Sequence, residues 1–179
     1  GITVYVTSIE ITKKLVKTCR KINPNCKIVI GGAHPSACPD EFPYADHVVV
    51  GYGEVSFIDI IKGIEIDHII IGKHPDDFFI FPSYDLIKPE SYSRRIGNKI
   101  SLPVLTSRGC PFSCAYCGLS TMHKLNKTIK MATPETVYKY IKKIKKNYNI
   151  DSINFQDDIF KLGRKRIFKI LELIKLLNI

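Results

Sequence analysis

The chain has 179 residues, 45% hydrophobic and 25% charged, and its 27 basic against 17 acidic side chains leave a formal net charge of +10. That balance excludes a disordered, solvating polypeptide, and no apolar run reaches the roughly 18 residues of a membrane-spanning helix. The first residues, GITVYV, have no basic n-region or cleavage site, so the reading is a soluble, cytoplasmic protein of one or two domains.

In chain order, residues 2–6 are short, apolar and β-branched, which predicts a strand. A helical pattern follows in which Leu15, Cys19 and Ile22 share a stripe ended by Pro24, so Cys19 is expected in the core. Residues 27–30 predict a buried strand. After it come Gly31-Gly32, a turn or short helix from Ser36, a strand over 47–50, a helix from about Glu54 to Ile64 and a strand over 69–71. Strands alternating with helices at this spacing predict βαβ units and a parallel sheet covered on both faces. In such sheets ligands lie beyond the carboxyl ends of the strands. Gly31-Gly32 and Gly51-Tyr52-Gly53-Glu54 both follow a strand, where the missing Cβ admits either a close ligand or a tight turn. His34 reads either as a ligand contact or as a solvated loop residue. Cys26 and Cys38 have no partner at metal-site spacing and read as small buried hydrophobes.

Pro75, Pro82 and Pro89 punctuate residues 73–99, which follow neither period; this predicts an ordered linker packed by Phe78, Phe79, Phe81 and Tyr84. The charge divides there too, because residues 1–101 carry 12 basic and 12 acidic side chains and residues 102–179 carry 15 and 5. The expected organisation is a domain over 1–72, a linker over 73–101 and a second domain over 102–179.

Residues 102–106 predict a short strand running into Ser107-Arg108-Gly109-Cys110-Pro111-Phe112-Ser113-Cys114-Ala115-Tyr116-Cys117. Six cysteines are too few for a disulfide scaffold of this length, and three crowded at C-x3-C-x2-C point to metal or redox chemistry. Thiolates ligate iron–sulfur clusters, and a four-iron cluster held by three of them keeps one iron open, as a catalytic zinc keeps a vacant position. The alternative is structural zinc with His123 or Cys38 as the fourth ligand. Thr133-Pro134-Glu135 then predicts a helix start with Val137, Ile141, Ile144 and Tyr148 as its buried stripe. Residues 152–156 predict a strand with Asp157-Asp158 at its carboxyl end, and a final helix from about Arg164 carries Ile167, Ile170, Leu171, Ile174 and Leu177. This order is the opening of a (β/α) barrel, in which functional residues gather on the carboxyl face. The two acids serve equally as helix N-terminal charges favoured by the dipole.

The run Arg-Gly-Cys-Pro-Phe-x-Cys-x-Tyr-Cys after a short apolar strand resembles the cluster loop of the radical S-adenosylmethionine (radical SAM) enzymes. GGAHPSACPDEFPYADHVVVGYGE resembles the second half of the cobalamin-binding-type domain that precedes the radical SAM domain in one large group of that family, and FPSYDLI resembles the group's connecting segment. The resemblance implies an α/β chain: a partial Rossmann-like (flavodoxin-like) parallel sheet, then the first two β/α units of a radical SAM barrel. The 78 residues from Leu102 onward compare with about 250 for a whole barrel, so the expectation is an internal fragment of a longer enzyme.

Carried over by resemblance, Cys110, Cys114 and Cys117 hold a [4Fe-4S] cluster whose fourth iron binds S-adenosylmethionine. An electron cleaves that molecule to methionine and a 5′-deoxyadenosyl radical, and cobalamin-dependent methyl transfer or related chemistry follows in the parent enzyme. Tyr116, Asp157 and Asp158 are the implied S-adenosylmethionine contacts, with Gln-Asp-Asp here where the family often has Gly-Gly-Glu. Gly31, Gly32 and His34 are the implied cobalamin contacts, the cobalt-coordinating His motif lying upstream of the region matched. The implied partners are a small-molecule substrate and an external electron donor such as flavodoxin or ferredoxin. Two other classes stay open: an RNA-modifying methylthiotransferase-like protein, and a non-catalytic iron–sulfur or zinc module, for which a fourth nearby cysteine is missing. The charge gives little support to RNA. Lysines outnumber arginines 21 to 6, and His123, Lys124, Lys127 and Lys130 have no aromatic residues between them, so the basic surface reads as solvated helix faces without base readout.

Overall fold

A computed structural model of the chain describes residues 1–73, 82, 84–86, 94–96, 99–118, 129–148 and 150–179. They form two compact units, Gly1–Asp76 with Phe112–Lys127, and Asp77–Pro111 with Thr128–Ile179.

The first unit is built on four parallel strands in spatial order β1-β2-β3-β4: β1 (Ile2–Thr3), β2 (Val29–Gly31), β3 (His47–Gly51) and β4 (Ile69–Gly72). Helix α1 (Ile9–Ile22) joins the first pair, the short α2 (Ala33–Ala37) the second and α3 (Glu54–Ile61) the third. The apolar runs in β2 and β3 are continuous because both faces are covered. Ile28, Ile30 and Val48 pack with Val4, Val16 and Phe42, whereas Val29 and Val49 pack with Ile60 and Ile70. The expected parallel α/β sheet is therefore present.

Details depart from the sequence reading. Strand β1 stops at Thr3, and a 3-10 turn over Val6–Ser8 leads into α1. The buried stripe of α1 is Thr12 and Val16 with Cys19 half-buried beside them, while Leu15 and Ile22 are 47% and 80% exposed. A count of apolar residues misses this face because Thr12 is polar; its hydroxyl donates to Ser8 O at 2.8 Å, so it is buried with its hydrogen bond made. Helix α3 ends at Ile61, three residues before the expected Ile64. Outside the helices, Asp46 braces the start of β3: Arg20 donates to both of its carboxylate oxygens at 3.1 Å, and Ile28 N–H donates to Oδ2 at 2.5 Å.

In the second unit, β5 (Arg94–Ile96) pairs antiparallel with β6 (Lys99–Val104), and β6 pairs parallel with β9 (Ser152–Phe155). A two-stranded ribbon, β7 (Ser107–Arg108) with β8 (Lys130–Met131), follows β6. Helix α4 (Pro134–Asn147) lies between β8 and β9 in sequence, and α5 (Arg164–Lys175) follows β9. The Thr133 hydroxyl accepts from Thr136 N–H, so the predicted N-cap is formed. The core is Leu102, Val104, Val137, Tyr140, Ile141, Ile144, Ile150, Ile170 and Ile174. Of the expected linker residues, Phe78, Phe79 and Phe81 lie outside those described. Tyr84 is half-buried against this core, donates to Pro103 O at 3.1 Å and meets Tyr148 edge-on.

Candidate functional site

At the carboxyl edge of the first sheet, the segment after β2 is held by its own chain. Gly32 has φ +110°, and a Cβ there would lie 2.9 Å from Thr3 Cγ2 and 3.1 Å from Val4 N and O. The glycine is thus required by close packing against the end of β1, and the room that a side chain would fill is already occupied. Ser36, 4% exposed, donates to Gly32 O at 2.7 Å and accepts from Gly51 N–H at 2.9 Å, tying the loops after β2 and β3 together. The sequence marks Ser36 only as the start of a turn or short helix, whereas it lies inside α2 and its hydroxyl links two loops.

His34 is mostly buried, with Nε2 2.8 Å from Glu41 Oε2 and its ring edge-on to Phe42. Hydrogen bonding from His34 and, more weakly, from the Cys38 thiol draws the Glu41 pKa below its ordinary value against the effect of burial. Cys38 is half-exposed and sits in this polar trio rather than among apolar side chains. Among the described residues, His34, Cys38 and Glu41 are the group of three metal-ligating side chains gathered within 4.8 Å. His123 lies outside the described residues.

The cysteine loop leaves β7 through Gly109, whose φ of +92° is a conformation that favours glycine. Cys110 and Cys117 are half-buried, Cys114 is exposed, and none is in a disulfide. Cys117 N–H donates to Cys114 O at 3.0 Å, so the C-x2-C half of the motif is a turn. Tyr116 is 93% exposed. The boundary between the two units falls after Pro111, so Cys110 belongs to the second unit and Cys114 and Cys117 to the first. Three cysteine side chains outside any disulfide are the donor type that iron–sulfur clusters take.

The acidic pair after β9 is engaged with the strand end that precedes this loop. Asp157 Oδ1 accepts from Thr106 N–H at 3.0 Å, Thr106 Oγ1 at 2.8 Å and Ser107 Oγ at 2.5 Å. Asp158 Oδ2 accepts from Gly109 N–H at 2.9 Å. Arg166 donates from Nη2 to Thr106 O at 2.6 Å and from Nε to Ala132 O at 2.7 Å. Burial lowers the Arg166 pKa, and the charge of Asp157 opposes that shift. Helix α5 begins only at Arg164, so the two acids are not its N-terminal charges. Arg166 went unnoticed in the sequence, where it is one basic residue in the run Arg164-Lys165-Arg166.

Residues 1–61 match the B12 binding domain family. Over 98% of its length the chain is 31% identical to an uncharacterized methyltransferase of Pyrococcus horikoshii, of which it covers 42%. Over 95% it is 22% identical to the anaerobic magnesium-protoporphyrin IX monomethyl ester cyclase of Cereibacter sphaeroides, covering 32% of that protein. A cobalamin-dependent radical SAM methyltransferase of Streptomyces tokunonensis is 27% identical over 69% of the chain, which covers 22% of it. The first third of the chain thus matches a B12 binding domain, and the chain is similar to cobalamin-dependent radical SAM methyltransferases. The chain spans less than half the length of these curated relatives. No described helix is long and apolar enough to cross a membrane.

Proposed function

We propose that the chain is part of a cobalamin-dependent radical SAM enzyme that transfers a methyl group to a small molecule, with Cys110, Cys114 and Cys117 as ligands of a [4Fe-4S] cluster. The observation that carries the reading is the C-x3-C-x2-C loop of cysteines outside any disulfide after the β6–β7 strands, in a chain whose first 61 residues match a B12 binding domain. When bound, the cluster supplies the electron that cleaves S-adenosylmethionine to methionine and a 5′-deoxyadenosyl radical; that chemistry belongs to the cofactor. The protein's part is to hold and orient. Gly109 lets the loop turn sharply away from β7, and the turn from Cys114 to Cys117 sets the spacing of two thiolates.

Tyr116, fully exposed beside the third cysteine, and Asp158, the exposed acid of the pair, are the proposed S-adenosylmethionine contacts. At the first sheet Gly31, Gly32 and His34 are the proposed cobalamin contacts, with the packing of Gly32 on Val4 restricting it to a backbone contact. The domains are proposed to run over 1–72 and 102–179, the second being the start of a (β/α) barrel, because β6, α4 and the parallel β9 make one β/α unit and α5 completes the next. A soluble electron donor such as flavodoxin or ferredoxin completes the cycle.

The test is anaerobic reconstitution of the chain with iron and sulfide, reduction and addition of S-adenosylmethionine. We expect a cluster whose electron paramagnetic resonance (EPR) spectrum changes when S-adenosylmethionine is added, with 5′-deoxyadenosine detectable by mass, and loss of the cluster in Cys114→Ala. Stoichiometric tightly bound zinc in place of a cluster, or a cluster that persists in Cys114→Ala, refutes the assignment.

A further inference from the structure

Resting on the cluster reading above, we infer that Asp157 is a positioning residue: together with Arg166 and Asp158 it braces the strand end that carries Cys110, rather than contacting S-adenosylmethionine itself. Three donors converge on the single oxygen Asp157 Oδ1, and they come from Thr106 and Ser107, which are 0% and 1% exposed. That oxygen is committed, and the other, Oδ2, is buried away from solvent with no hydrogen-bond partner among the described residues. Asp158 takes the N–H of Gly109, directly before Cys110, and Arg166 takes the carbonyl of Thr106, which Ala132 N–H also reaches at 2.9 Å. Three of the four residues preceding the first cysteine are therefore held by side chains from the β9–α5 segment.

The arrangement has a physical purpose. Gly109 gives the chain the most freedom one residue before a metal ligand, and an unheld loop there would spread the first thiolate over many positions. Hydrogen bonds to a carboxylate are shorter and stronger than neutral ones, and they narrow that spread most when the donors are desolvated, as Thr106 and Ser107 are. Arg166 balances the charge that this requires. Residues that support metal ligands from behind are commonly as necessary as the ligands.

The experiment compares wild type, Asp157→Ala, Asp157→Asn and Ser107→Ala in the full chain, with two readouts and, as a control, amide protection across α4. The first is the rate of Cys110 alkylation by iodoacetamide in the cluster-free protein, resolved by mass, with half-buried Cys19 as the internal control. The second is the EPR spectrum of the reduced, reconstituted protein without S-adenosylmethionine. Asp157→Ala is expected to raise Cys110 alkylation by about tenfold with Cys19 unchanged, since charge-assisted bonds closing a local opening are lost. It is also expected to broaden or shift the spectrum, and Asp157→Asn, which keeps an acceptor, should recover part of both changes. Should Asp157→Ala not fold, Ser107→Ala, which removes one donor, is expected to give a smaller shift in the same direction. Unchanged Cys110 alkylation and an unchanged spectrum overturn the brace, as does a rise at Cys110 matched by an equal loss of amide protection across α4, which marks general loosening of the second unit. If wild type forms no cluster but Cys110 alkylation still responds, the brace stands and the iron–sulfur reading fails.

Discussion

Substituting Gly32 by Ala separates two reasons for a glycine after β2, room for a ligand or room for the chain itself. Its φ of +110° and ψ of −167° lie in a region populated almost only by glycine, which costs a side chain about 1–3 kcal/mol. The added methyl would also sit 2.9 Å from Thr3 Cγ2 and 3.1 Å from Val4 N and O, and two of those three atoms are backbone just past the end of β1. Forced overpacking adds about 1–3 kcal/mol, so the combined loss is about 2–6 kcal/mol. Gly31 is the control: its Cβ would find Val49 O at 3.6 Å, ordinary contact, and its substitution by Ala should cost less than about 1 kcal/mol. Because the chain has two units, the measurement is native-state hydrogen exchange at the Val48, Val49 and Val50 amides, which reports the first unit alone. With tenfold per 1.4 kcal/mol, Gly32→Ala should lower the protection of amides that exchange by opening of that unit by at least about 25-fold, without any cobalamin present. Equal protection in Gly31→Ala and Gly32→Ala, or wild-type protection in Gly32→Ala, refutes the packing argument.

Asp46 yields a pH dependence with a definite sign. Burial alone would raise its pKa, but the Ile28 N–H and the Arg20 guanidinium outweigh burial and lower it below the ordinary aspartate value. A lowered folded pKa gives stability that is present above the unfolded value and is lost as pH falls through the folded one. Asp46→Asn should therefore cost about 1 kcal/mol near neutral pH, discounted for the partial exposure of the pair, and the gap from wild type should close as pH falls below about 4 in urea melts. Thr133→Ala removes the cap of α4 and should cost about 1 kcal/mol, read as reduced amide protection in α4, whereas Thr133→Ser should restore it.

The fold class was legible because buried parallel strands announce themselves: Ile28 to Ile30 and Val48 to Val50 are continuous apolar runs bounded by glycine, and both became central strands. The cap at Thr133 was equally legible, since capping depends on residue type at short spacing. The buried face of α1 was not, because Thr12 hides its polarity in a bond to Ser8 and Leu15 faces outward.

What the sequence determines by itself is the chemistry of the candidate site, the three cysteines and the acids after β9, because those are local patterns. What only the tertiary structure decides is who holds whom. Asp157 lies 51 residues from Thr106, Arg166 lies 60 from it, and the need for glycine at position 32 comes from Thr3 and Val4. Such pairings follow from strand register and packing between elements distant in the chain, and no periodicity or motif encodes them.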